Sequence, residues 1–193
     1  MRRTTVPLVV AATVAVGATL ASVLGWWTVA ASPRSSSDGV IDEDDGVIGG
    51  TVVTAYDEVP AVTRLDGQLR RALRRAASAA ARDGIELRVN SGWRSRAYQA
   101  QLFRDAVTTY GSEAEAARWV ATADTSSHVT GDAVDVGPYA ASEWLARQGA
   151  AYGLCQTFGN EPWHFELRPG AVDDGCPPPV TDATHAQGIT LSR

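Results

Sequence analysis

Residues 126–135 read Ser126-Ser127-His128-Val129-Thr130-Gly131-Asp132-Ala133-Val134-Asp135, and a second stretch, Glu161-Pro162-Trp163-His164-Phe165, answers it downstream. Together they hold two of the chain's three histidines, with aspartate and glutamate alongside. Zinc takes imidazole nitrogen and carboxylate oxygen at about 2.0–2.2 Å in a tetrahedral arrangement, and a site with three protein ligands keeps its fourth position open for water. His128, Asp135 and His164 are the expected ligands. If Gly131-Asp132 forms the centre of a two-residue turn, His128 lies directly across from Asp135 and Gly131 supplies the positive φ that such a turn needs. Alternation along a strand over 133–136 then sends Val134 and Val136 to the core and Asp135 to the metal. Asp132 is the nearest rival ligand, although a turn gives it a use already.

Glu161 precedes His164 by three residues, so within one regular strand the two would face opposite ways. Pro162 disfavours helix at Glu161 and marks a bend before the strand. Glu161 can therefore hang over the metal without binding it, placed to take a proton from water and return it to a leaving amine. Arg94, in Ser91-Gly92-Trp93-Arg94-Ser95, follows a strand end at a glycine and is the candidate partner for a developing oxyanion.

Around these stretches the pattern alternates between helix and strand. Leu65, Leu69, Ala72, Leu73, Ala76, Ala77 and Ala80 repeat at helical spacing up to Gly84, with Arg70, Arg71, Arg74 and Arg75 on a solvated face. A strand is expected over 85–90 and a helix over 96–110. A short helix over 112–120 is capped by Ser112 with Glu115 three residues on. A strand over 133–136, a helix over 143–152 and strands over 154–157 and 163–167 follow. This mixed order predicts an α+β fold, a small single domain whose central, mostly antiparallel sheet is flanked by helices and carries the zinc site.

At 193 residues there is room for one such domain, expected over 60–180, with a polar tail over 181–193 that is loosely ordered beyond Cys176. His185 lies in that tail and has no assigned role. The net charge of −5, with all basic residues arginine and no basic patch, argues against a nucleic-acid binder. Arg2-Arg3 precede an uncharged run from Thr4 to Ser32, with Trp26-Trp27 near its far end. That length crosses a bilayer core, and basic residues on the cytoplasmic side send the rest outside. Residues 1–32 are thus a membrane anchor or, given the small residues Val29-Ala30-Ala31, a cleaved signal peptide. Residues 33–59, containing Asp42-Glu43-Asp44-Asp45, are expected to form an acidic flexible tether, with a short edge strand possible over 47–53. Export makes one disulfide the simplest reading of Cys155 and Cys176, the alternative being two buried thiols.

Ser-Gly-Trp-Arg-Ser at 91–95, Tyr98-Gln99, the S-x-H-x-x-G-x-A-x-D pattern at 126–135 and Glu-Pro-Trp-His at 161–164, in this order, closely resemble the VanY-type zinc D-alanyl-D-alanine carboxypeptidases over about residues 65–167. The resemblance implies Zn2+ on His128, Asp135 and His164, Glu161 as general base, Arg94 stabilising the transition state, and Ser126 and Gln99 in contact with substrate. It implies cleavage of the D-Ala-D-Ala end of peptidoglycan stem peptides, or endopeptidase action on the same peptides, since only Gln156 to Asn160 link the strand at Leu154 to Glu161 and one cleft wall is left open. A non-catalytic wall-binding module is the reading from another class; a pure binder has no need of Glu161.

Overall fold

A computed structural model describes residues 39–188. The expected anchor or signal segment, the beginning of the tether and the last five residues of the tail lie outside the described residues. No helix among the described residues is long and apolar enough to cross a membrane.

The helices are α1 (Pro60–Thr63), α2 (Gly67–Arg82), α3 (Arg96–Tyr110), α4 (Glu113–Ala116), α5 (Ser127–Thr130), α6 (Tyr139–Gln148) and α7 (Ala171–Asp174). The strands β1 (Arg88–Ser91), β2 (Ala133–Gly137), β3 (Leu154–Gln156) and β4 (His164–Leu167) form one sheet in the order β1-β2-β4-β3, every pair antiparallel. This is the α+β architecture expected from the sequence.

Helix α2 starts where the Asp66 carboxylate accepts from the backbone N–H groups of Gln68 and Leu69 at 2.7 and 3.1 Å, satisfying donors that the first turn leaves unpaired. Its Leu69, Leu73, Ala76 and Ala80 pack with Leu145 of α6 against Val134, Val136 and Phe165, which project from one face of the sheet. Each fully buried leucine or phenylalanine contributes about 1.5–3 kcal/mol relative to exposure. By strand alternation the opposite face of the sheet carries Asp135, His164 and Glu166.

Two segments differ from expectation. Within the expected tether, Asp42 caps a 3-10 turn at Glu43–Asp45, the Ser95 N–H donates to Asp45 O at 2.8 Å, and Val53 and Ala55 are buried in the core. No strand forms over 47–53; the contact with β1 is a single bond from Val89 N–H to Val53 O at 2.7 Å. The acidic block can dock because its carboxylates satisfy the turn's own N–H groups while Val53 and Ala55 supply apolar surface.

The tail beyond Cys176 folds back as well. Cys155 and Cys176 are joined by a disulfide. Val180 then bridges Phe158, Gly159 N–H donates to Val180 O at 2.7 Å, and Asp182, only 2% exposed, accepts from Arg118 Nε at 3.2 Å. His185 Nδ1 donates to the same Asp182 carboxylate, at Oδ1, over 2.9 Å. Pro, Asp and Thr composition suggested a loose tail; tethering at Cys176 and one buried carboxylate hold it down as far as a 3-10 helix over Ala183–Gly188.

Candidate metal centre and cleft

Asp135 on β2 and His164 on β4 are direct register partners. His128 arrives differently from the hairpin that sequence alone suggested. Residues 127–130 form the single helical turn α5, and Gly131 at φ 80° closes it as a left-handed cap whose N–H donates to His128 O at 3.2 Å. The hairpin fails because Asp132 N–H donates back to Ser127 O at 2.8 Å, coiling the chain where a hairpin would extend it. Gly131 keeps its predicted positive φ, and a side chain there would meet Arg64 O at 2.5 Å. Asp132 is exposed, bonded by Thr130 Oγ1 at 2.7 Å, and lies outside the ligand cluster.

The three buried side chains converge. His128 Nε2 lies 3.3 Å from both His164 Nδ1 and Asp135 Oδ1, and His164 Nδ1 lies 3.2 Å from Asp135 Oδ1. Tetrahedral bonds of about 2.0–2.1 Å place neighbouring donor atoms about 3.3 Å apart. The triangle therefore has zinc-site dimensions. The outer ring nitrogens are held too: His128 Nδ1 bonds Gly92 O at 2.7 Å, and His164 Nε2 is 3.3 Å from Glu166 Oε1. With those outer nitrogens donating, both inner nitrogens converge on one carboxylate oxygen, an arrangement that calls for positive charge at its centre, a proton on His164 Nδ1 or a metal ion in its place.

The electrostatics agree. Burial lowers the His164 pKa, but its bonds to Asp135 and Glu166 outweigh that and push it up to about 9. His128 is held below the usual imidazole range by burial. Burial would raise Asp135, yet the two histidines hold it well below the usual carboxylate range. Burial likewise opposes ionisation of Glu166, and His164, Arg168 and Ser127 overcome it.

Glu161 sits above the triangle. Pro162 and Trp163 form a turn closed by His164 N–H donating to Glu161 O at 3.0 Å, so the bend expected at Pro162 is present. Glu161 Oε2 is 3.9 Å from His164 Nδ1, and burial is the main cause that pushes this carboxyl up to about 7. That is the range in which a group exchanges protons efficiently at neutral pH.

Arg94 reaches the centre from behind. Its Nη2 donates to Asp135 Oδ2 at 2.8 Å, Nε to Ser91 Oγ at 2.8 Å and Nη1 to Gln99 Oε1 at 3.1 Å. Gln99, expected at the substrate, is 1% exposed and spends its amide on Arg94 and on Ala121 O. It both braces Arg94 and lines the cavity. Ser126, at the start of α5, borders the cleft and makes no capping bond with its hydroxyl.

A cavity of about 500 Å3 opens over these groups, with Trp119, Trp163 and Phe158 in its walls and Ala183 of the returning tail at its edge. The short 156–160 link itself lines the cavity through Thr157 and Phe158, and Ala183 is the one residue the returning tail adds among those described. Phe165 belongs to the core instead.

Sequence reasoning missed Glu166, which accepts from Ser127 Oγ at 2.9 Å and steadies His164. Its signal was present in the period of two along β4, which puts residues 164 and 166 on one face.

The family model for VanY, D-alanyl-D-alanine carboxypeptidase, matches residues 62–169, more than half of the chain. The chain belongs to the VanY family. Among solved structures, the VanY fold here is similar to a mutant of the vancomycin resistance D,D-pentapeptidase VanY from a VanB-type resistance cassette in complex with Zn(II), at 24% identity and TM-score 0.52, covering 65% of this chain and 79% of that one. It is similar also to VanYB in complex with D-alanine-D-alanine, at 25% identity and TM-score 0.53 over 66% and 80% of the two chains. The LD-carboxypeptidase LdcB matches at 23% identity and TM-score 0.55, over 79% and 81%. No curated protein sequence matches.

Proposed function

We propose that this VanY-family chain is a zinc-dependent D-alanyl-D-alanine carboxypeptidase that trims peptidoglycan stem peptides outside the cytoplasm. The observation that carries the reading is the pairing of a tetrahedron-sized ligand triangle with a carboxyl group, Glu161, poised over it and outside it. His128, Asp135 and His164 would hold the ion. When bound, zinc supplies Lewis-acid polarisation of a peptide carbonyl and lowers the pKa of water.

The chain's own residues do the rest. Glu161 takes a proton from the attacking water and returns it to the departing D-alanine amine. Arg94, fixed by Ser91, Gln99 and Asp135, orients the aspartate and brings positive charge behind the site, where negative charge develops on the carbonyl oxygen. Ser126 offers its hydroxyl to the peptide. The disulfide between Cys155 and Cys176 fits an oxidising compartment, and the apolar run over 4–32 fits export as a membrane anchor or a cleaved signal.

Zinc content of the purified full chain, together with D-alanine release from a pentapeptide ending in D-Ala-D-Ala, tests the reading. The expected result is one zinc per chain and release that a chelator stops. Zinc with cleavage only inside the stem would replace the carboxypeptidase reading with an endopeptidase, and absence of zinc would replace it with a wall-binding module.

A further inference from the structure

Two guanidinium groups border the cleft, those of Arg94 and Arg168. Arg94 is committed through all three of its nitrogens. Arg168 is not. It follows β4 on the same face as His164 and Glu166, and its single side-chain bond among the described residues is Nη2 to Glu166 Oε2 at 2.8 Å. Nε and Nη1 are left with their N–H groups, and the side chain is 21% exposed.

The charge of the cleft points the same way. Its lining holds the carboxylates of Asp135, Glu161 and Glu166 against the two arginines, so a bound dication leaves one net positive charge. An anionic group on the ligand would balance it. A guanidinium held at one corner by a fixed carboxylate, on a residue that lines a cavity and keeps unspent N–H groups, is preset for a second carboxylate and loses little freedom on binding it.

We propose that Arg168 is a specificity-determining residue that binds a carboxylate of the peptide substrate. This rests on the peptidase reading of the site. Two sources present that chemistry: the free C-terminal carboxylate of the peptide, or an acidic side chain upstream of the scissile bond.

The test uses the zinc-loaded full chain carrying Glu161→Gln, so that binding is measured without turnover. Three peptides are compared by calorimetry: one with both carboxylates, one amidated at its C-terminus, and one with the upstream acid replaced by alanine. Arg168→Gln is expected to weaken the parent about tenfold or more, the scale of a charge-assisted pair, while costing nothing further on the peptide that lacks the carboxylate Arg168 reads. Which peptide is insensitive identifies the source. Arg168→Lys restores part of the affinity, and zinc content stays at one per chain in each variant. Equal weakening of all three peptides, no weakening, or no binding by any of them would overturn the assignment. D-alanine release by the chain with Glu161 intact is scored separately. Coupling without release sinks only the peptidase reading, and release without coupling sinks only Arg168.

Discussion

Asp135 Oδ1 and His164 Nδ1 face each other across the paired strands β2 and β4 at 3.2 Å, while the aspartate's other oxygen accepts from Arg94 at 2.8 Å. One carboxylate thus joins the inner ligand triangle to the arginine behind it. Removing His164 breaks this arrangement at its centre. His164→Ala is expected to lose both bound zinc and turnover, and metal analysis after gel filtration will show it; full zinc retention would exclude His164 as a ligand.

Glu161 has a different dependence. It stands outside the triangle, so Glu161→Gln should keep zinc at one per chain while kcat falls about 10²–10⁴-fold, the usual contribution of a positioned general base. Normal turnover in this variant would remove the proposed proton transfer.

Glu166 acts through His164. Glu166→Gln leaves the ligands in place but weakens the hold on the outer ring nitrogen, and zinc affinity should fall about 10–100-fold. Competition with a chromogenic chelator measures this, and an unchanged affinity would reduce Glu166 to a partner of Ser127 and Arg168.

The charge state of His164 gives a pH dependence with a definite sign. Folded His164 holds its proton up to about pH 9, against 6.5 as its ordinary value. Its stabilising contribution in chelator-treated protein is therefore complete below about 6.5 and disappears as pH rises through about 9. Zinc needs that proton gone, so the stabilisation it confers grows over the same window. Thermal melts with and without chelator should diverge between about pH 6.5 and 9, the chelated form melting lower as pH rises. A constant gap would mean that His164 does not exchange its proton for the ion.

Gly131 links the local turn to the site. Gly131→Ala places a side chain at φ 80° against Arg64 O, and costs at least about 1–2 kcal/mol in backbone strain alone. Denaturant titration checks this, and zinc affinity should fall with it because α5 carries His128.

The residues that cluster at the centre, His128, Asp135 and His164, and the helix over 96–110 were legible because donor chemistry and helical period are local properties of the sequence. The α+β class followed from the element order for the same reason. The geometry around His128 was not legible: whether Gly131 closes a hairpin or caps a helical turn depends on Arg64 and Asp66, which approach from more than sixty residues away. The resemblance places Gln99 at the substrate, and it does line the cavity, but nothing in its neighbours announces that Arg94 and Ala121 O also engage its amide. The docking of residues 42–55 and the return of the tail depend on contacts made at long range, which composition cannot register.

The strand order β1-β2-β4-β3 places β2 and β4 inside the sheet, hydrogen-bonded on both sides, whereas His128 rides on a four-residue turn. Amide exchange at Val136, whose N–H on β2 donates to Trp163 O just ahead of β4 at 2.9 Å, should then require global opening, while the turn at 127–130 exchanges through local fluctuation. An ion held by the three side chains would then leave through opening of the His128 turn, with Asp135 and His164 left in place to recapture it.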